Sequence, residues 1–180
     1  MSTTASAFDV LSELSLTAKP GGAGKDLDAE AQLQWSGIGF SLFGEQFIAP
    51  VGELSEMLEI PASTRLPGVQ PWVVGVANVR GRLLPLFDMA AFFGGKLNNS
   101  KRQHRVLILE RDSVYAGLIV DQVFGMQHFP LETFQEQANS KLEAVSSCLS
   151  GCYQLSDSNW QVFSTAKLIE DPRFANAALS

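Results

Sequence analysis

Gly75-Val-Ala-Asn78-Val-Arg80-Gly81-Arg-Leu-Leu-Pro85-Leu-Phe87-Asp88-Met-Ala-Ala-Phe-Phe93 reads as an apolar strand, a tight Arg-Gly turn, a second apolar strand and a short helix capped by Asp88. Set beneath it without a gap, 76 residues on, Gly151-Cys-Tyr-Gln-Leu-Ser-Asp-Ser-Asn-Trp160-Gln-Val-Phe163-Ser164-Thr-Ala166-Lys-Leu-Ile169 repeats that order of elements. Only three residues are identical, Gly75/Gly151, Phe87/Phe163 and Ala90/Ala166, yet the physics recurs in step, with Ser164 as the capping residue in place of Asp88. A second echo, at an offset of 69, sets Pro50-Val-Gly-Glu-Leu54-Ser-Glu-Met57 against Ile119-Val-Asp-Gln-Val123-Phe-Gly-Met126. The seven-residue difference falls in the polar stretch 128–147, which reads as a loop insertion in the second half. These echoes predict two similar β-units of about 70 residues, because a duplicated small barrel closes its own edges and buries one core.

Outward from this pair, the chain beyond Ser36 is punctuated into short apolar runs separated by turn residues, an all-β pattern with small helical inserts. Strands are predicted at 38–43, 47–49, 75–79, 82–87, 106–110, 115–120, 152–155 and 160–163. Turns are predicted at Gly44-Glu45, Arg80-Gly81, Asp112-Ser113 and Ser156-Asp-Ser-Asn159, and a short helix near Glu53 and Glu56. Residues 1–36 stand apart: Phe8, Leu11 and Leu14 recur every three residues as in a short amphipathic helix, and Pro20-Gly-Gly-Ala-Gly24 is linker chemistry. The expected organisation is a flexible segment 1–36, one domain of two interlocked barrel halves over 37–175, and a tail at 176–180.

Composition narrows the function. With 180 residues and 46% hydrophobic positions the chain carries enough apolar side chains for one sizeable core or two small ones. Thirteen Lys and Arg against nineteen Asp and Glu leave a net charge of −6, which opposes a general affinity for nucleic acid or anionic lipid. The longest stretches free of charge, 31–44 and 66–79, have 14 residues each, short of the ~20 apolar residues of a membrane-spanning helix. No basic, apolar leader opens the chain, so neither membrane insertion nor secretion is expected and the predicted location is the cytoplasm. Cys148 and Cys152 are the only cysteines, too few for a zinc site with His104 and His128 far off in sequence, and read as packed thiols.

Catalytic constellations are missing: the sequence has no phosphate-binding glycine loop, no Gly-x-Ser-x-Gly elbow and no histidine pair at metal spacing. No cofactor or metal is expected. Glu53 and Glu56 read as a solvated face rather than a catalytic pair, His104 and His128 as surface groups, and Lys101-Arg-Gln-His-Arg105 as gatekeeping charge beside a strand. Against these, Arg80 is distinctive, because a Gly-supported turn thrusts its guanidinium outward as a fork for a partner carboxylate.

Three blocks in order, Val51-x-x-Leu54-x-Glu56-Met57, Leu66-Pro67-Gly-Val-Gln-Pro71-Trp72-Val-Val-Gly75-Val-Ala-Asn78-Val-Arg80-Gly81-x-Leu-Leu-Pro85-Leu-Phe-Asp88 and Gly117-Leu-Ile-Val120-Asp121-x-Val123, resemble the CheW-like adaptors of bacterial chemosensory arrays. Gln34-Trp-Ser-Gly-Ile-Gly-Phe40 and Val123-Phe-Gly-Met-Gln-His-Phe-Pro130 are similar to the PilI-like branch that serves type IV pilus twitching motility. The resemblance implies two five-stranded SH3-like barrels and a non-catalytic bridge between the cytoplasmic tip of a methyl-accepting chemoreceptor and the regulatory domain of a CheA-type histidine kinase, recruited to membrane-associated arrays. It implies a receptor-facing set of Leu54, Glu56, Gly75, Asn78, Arg80, Gly81, Val120 and Val123, around the groove between the barrels. Kinase contact is expected on the first barrel, at the hairpin carrying Phe43, Gly44 and Phe47. The end Trp160-Gln-Val-Phe163-Ser164 departs from the aliphatic-Asp pattern of general members and fits the pilus branch. The competing readings are a flagellar coupling protein of the same family and a small-barrel nucleic-acid binder, which the acidic balance disfavours.

Overall fold

The computed structural model describes residues 34–98 and 100–178. The expected N-terminal helix at Phe8–Leu14 and the linker at Pro20–Gly24 lie outside the described residues. The elements in order are β1 (Gln34–Leu42), β2 (Glu45–Pro50), β3 (Leu54–Glu59), β4 (Ser63–Thr64), β5 (Val73–Val79), β6 (Arg82–Asp88) and α1 (Met89–Phe92). They continue with β7 (Arg105–Arg111), β8 (Val114–Val120), β9 (Gln122–Pro130), a 3-10 turn (Leu131–Thr133), β10 (Phe134–Gln135), α2 (Glu143–Ser146), β11 (Leu149–Gln154), β12 (Asn159–Phe163), α3 (Thr165–Glu170) and α4 (Pro172–Ala178).

Two six-stranded sheets result, ordered β3-β7-β8-β6-β5-β4 and β9-β1-β2-β12-β11-β10. Each has five strands of five residues or more and one of two residues, β4 or β10, at an edge. The orders correspond position by position, down to one parallel pair in each, β6 with β8 and β12 with β2. Both sequence echoes are therefore structural. β5–β6–α1 and β11–β12–α3 are equivalent: Asp88 Oδ1 accepts from Ala91 N at 2.9 Å, and Ser164 Oγ from Lys167 N at 3.3 Å. Gly75 and Gly151 each sit at a bulge, at φ 155° and 150°. A Cβ at either would collide with a backbone carbonyl of the short edge strand, Thr64 O or Gln135 O, so both positions need a bare backbone.

One expectation changes. The equivalent units are not two consecutive halves of the chain, because the N-terminal hairpin β1–β2 pairs with β9 and β12 and fills the place that β7–β8 take in the other sheet. The second unit is thus completed by the start of the chain, which ties the two together.

The core follows the same logic. Ala77, Leu84, Leu86, Val106, Ile108 and Ile119 pack within the sheet of β3–β8. Trp35, Ile48, Phe129, Tyr153, Trp160 and Val162 pack within the other, with Trp35 and Phe129 stacked on Tyr153 at 5.2 and 4.9 Å. The largest cluster joins the sheets, setting Phe40, Leu42 and Phe47 against Leu54, Leu107, Leu118 and Val120, with Phe163, Leu168 and Phe174 from the C-terminal elements. Burying this shared apolar surface is what holds the units as one body.

Three further expectations are corrected. Residues 54–59 are an edge strand and not a helix: Leu54 and Leu58 point inward while Met57, 49% exposed, points out, so an apolar residue on the wet face mimics helical spacing. The stretch 128–147 is not a plain loop, since it holds the end of β9, the 3-10 turn, β10 and α2. Residues 176–178 continue α4, and 179–180 lie outside the described residues.

Candidate functional site

The receptor-facing set divides into a rim and a buried floor. At the rim, β5 and β6 meet in a two-residue turn with Arg80 at φ 53° and Gly81 at φ 79°, the paired left-handed conformation of a type I′ hairpin. Asn78 Oδ1 accepts from Gly81 N at 3.0 Å and holds the turn shut. The Arg80 side chain is 73% exposed, and one of its Nη atoms donates to Glu56 Oε1. A bulky residue in the left-handed region costs roughly 1 kcal/mol or more, and packing does not require it at an exposed tip.

Glu56 lies on β3 and Arg80 follows β5, four strand steps apart in the sheet order. A flat sheet would place those strands about 19 Å apart at ~4.8 Å per step. Their ion pair therefore requires the sheet to curl into a barrel, and it closes the mouth. A bulge between Leu54 and Glu56, opposite Ile108 and Leu109, sets the direction of both side chains.

Leu54, Val120 and Val123 come together elsewhere, in the shared core, with Leu54 and Val120 buried and Val123 half-buried against them. Gly75 is buried beneath β4 and presents no surface. Of the set, Asn78, Arg80 and Gly81 are exposed and Glu56 is half-buried at the rim, whereas Gly75 and Val120 are buried.

The hairpin expected to meet the kinase is also divided. Phe43, at φ 57°, and Gly44, at φ 76°, form the β1–β2 turn, half-buried and exposed. Phe47 is 0% exposed, stacked on Phe40 at 5.6 Å, so its side chain contributes to the core and not to a contact surface. The hairpin belongs to the sheet of the C-terminal strands and not, as expected, to the first barrel.

Several working residues escaped the sequence reading. Asp121, 3% exposed, accepts from Phe43 N at 3.1 Å and from Asn98 N at 2.6 Å. It is the only charged residue between Val114 and Leu131, a charge inside an apolar run, and that was its available signal. His104 is buried and not a surface group, with Nε2 donating to Asn98 O at 2.8 Å. Glu53 is no solvated face: it accepts from Arg111 Nη1 at 2.7 Å and from the buried Thr165 Oγ1, bridging β7 to α3. Burial pushes the Asp88 carboxyl above the ordinary value, against the Ala91 and Ala90 N–H groups that pull it down. The hydrogen bond to Glu110 raises the exposed Arg82 guanidinium, which also covers the Tyr115 ring at 3.8 Å. Cys148 and Cys152 are buried free thiols, and burial raises both. Among the described residues no three His, Cys, Asp or Glu side chains converge as metal ligands, and no helix is long and apolar enough to cross a membrane.

Paired curled sheets, an Asn-x-Arg-Gly hairpin tip and a Val-Asp-x-Val link between the units define a CheW-like scaffold, and the model of the CheW-like domain family matches residues 36–173; the chain belongs to that family. Protein PilI of Pseudomonas aeruginosa is 44% identical over 179 residues, 99% of this chain and 100% of that one. The chemotaxis protein CheW of Helicobacter pylori is 31% identical over 99 residues, 55% of this chain and 59% of that protein. The crystal structure of the scaffolding protein TtCheW from Thermoanaerobacter tengcongensis shares the fold, with a TM-score of 0.63, 21% identity and coverage of 72% of this chain and 88% of that one.

Proposed function

We propose that this protein is a non-catalytic cytoplasmic adaptor coupling the tip of a methyl-accepting chemoreceptor to the regulatory domain of a CheA-type histidine kinase, in a chemosensory pathway that controls type IV pilus twitching motility. The observation that carries this reading is the end-to-end likeness to Protein PilI, where the likeness to a CheW spans about half of this chain. The receptor binds the rim of Glu56, Asn78, Arg80 and Gly81, while Leu54, Val120 and Val123 hold the shared core and Gly75 the bulge under β4. The kinase binds a separate surface that includes the Phe43–Gly44 turn. Rigidity suits the task, because a receptor's change of state reaches the kinase only through contacts whose free energy differs between states. Deleting the chain in its own organism is expected to abolish twitching on a surface and leave flagellar swimming unchanged. Loss of swimming with twitching intact would contradict the pilus assignment and favour the flagellar one.

A further inference from the structure

We propose that Asp121 is a positioning residue that locks the β1–β2 turn to the unit that carries the receptor rim, so that the two partner surfaces respond as one body; this rests on the adaptor reading above. Asp121 is the single residue between β8 and β9, the point where the chain leaves one sheet for the other, directly after Val120. Two segments meet on it, the β1–β2 hairpin through Ser41 and Phe43 and the connection between α1 and β7 through Asn98 and His104. Its own N–H donates to Ser41 O at 3.1 Å, Oδ2 accepts from Phe43 N at 3.1 Å, and Oδ1 accepts from Asn98 N at 2.6 Å. His104 Nε2 stands 3.9 Å from that Oδ1 and fixes the carbonyl of the same Asn98.

The turn needs such an anchor. Phe43 is an aromatic residue at φ 57°, a conformation a side chain of this size avoids unless its surroundings impose it. Its ring lies where any side chain on Gly95 would strike it, and its N–H has a buried acceptor in Asp121. Removing the carboxyl strands two N–H donors, Phe43 N and Asn98 N, and frees the turn from the connection between α1 and β7. An amide in its place keeps one acceptor oxygen where two are used.

The test compares the full-length protein with Asp121→Ala, Asp121→Asn and a control of similar destabilisation, Val162→Ala, in the aromatic cluster of the sheet that also holds the β1–β2 hairpin but away from Asp121. Amide exchange at Phe43 and Asn98, read without any partner, is expected to quicken roughly tenfold in Asp121→Ala, with β8 unchanged. In Asp121→Asn it quickens at one of the two. A soluble receptor signalling fragment is expected to change the affinity for the kinase regulatory domain by roughly fivefold or more in the wild type, a usual scale for coupling between sites. In Asp121→Ala that factor falls to about one while each separate affinity holds within about threefold, and Val162→Ala keeps the wild-type factor. Unchanged exchange at both amides, wild-type coupling in Asp121→Ala, or equal loss in Val162→Ala would overturn the proposal. A wild type that binds no receptor fragment would count against the adaptor reading, and the exchange rates would still decide whether Asp121 locks the turn.

Discussion

Charge reversal at Arg80 or Glu56 is expected to remove receptor binding and spare both the fold and the kinase contact. The two side chains form an ion pair at an exposed rim, with 73% and 29% of their surfaces open, and such pairs contribute about 0–1 kcal/mol to stability. The melting midpoint of Arg80→Glu should therefore shift by only a few degrees. Leaving a charge opposite a like one in a desolvated contact costs far more, about 3 kcal/mol, or roughly a hundredfold in Kd. Receptor affinity should fall on that scale while kinase affinity stays within about twofold. The double reversal Glu56→Arg with Arg80→Glu restores the pair but inverts the face, so the receptor should remain lost. Recovery in the double variant would show that the pair acts by closing the barrel mouth instead of by meeting the partner.

Phe47→Ala is expected to cost about 3–5 kcal/mol, since a fully buried aromatic ring leaves a cavity that its neighbours refill only in part. Against a typical total of about 5–15 kcal/mol, that is a large share of the stability. Phe47 stacks on Phe40 in the cluster joining both sheets, so chemical denaturation should show a lower midpoint with the unfolding slope unchanged. The folded fraction should bind the kinase as the wild type does. An unchanged midpoint together with lost kinase binding would return Phe47 to the contact surface.

How far the sequence disclosed this molecule depended on which residues carry a local backbone requirement. Gly75 and Gly151, with the caps Asp88 and Ser164, announce the duplicated hairpin-and-helix because each is demanded by geometry within a few residues of itself. The order of strands was not legible in that way. The union of β2 with β12 joins residues more than a hundred positions apart, and nothing local in Gln46–Ile48 names Trp160–Val162 as its neighbour. The candidate site shows the same division. Arg80 and Asn78 could be read from the turn they build, whereas Phe47 and His104 owe their burial to distant packing that a tip-like or charged neighbourhood conceals. Asp121 stood in plain view as an isolated charge in an apolar run, but its partners Phe43 and Asn98 are 78 and 23 residues away.

The central claim, that one rigid body carries two partners at once, is tested most directly by titrating the full-length protein with the kinase regulatory domain in the presence of saturating receptor signalling fragment. The account predicts a ternary complex, detected as a single species of summed mass, that Arg80→Glu reduces to the binary kinase complex. Strict competition, with each partner displacing the other, would contradict it and leave a sequestering inhibitor built on the same fold.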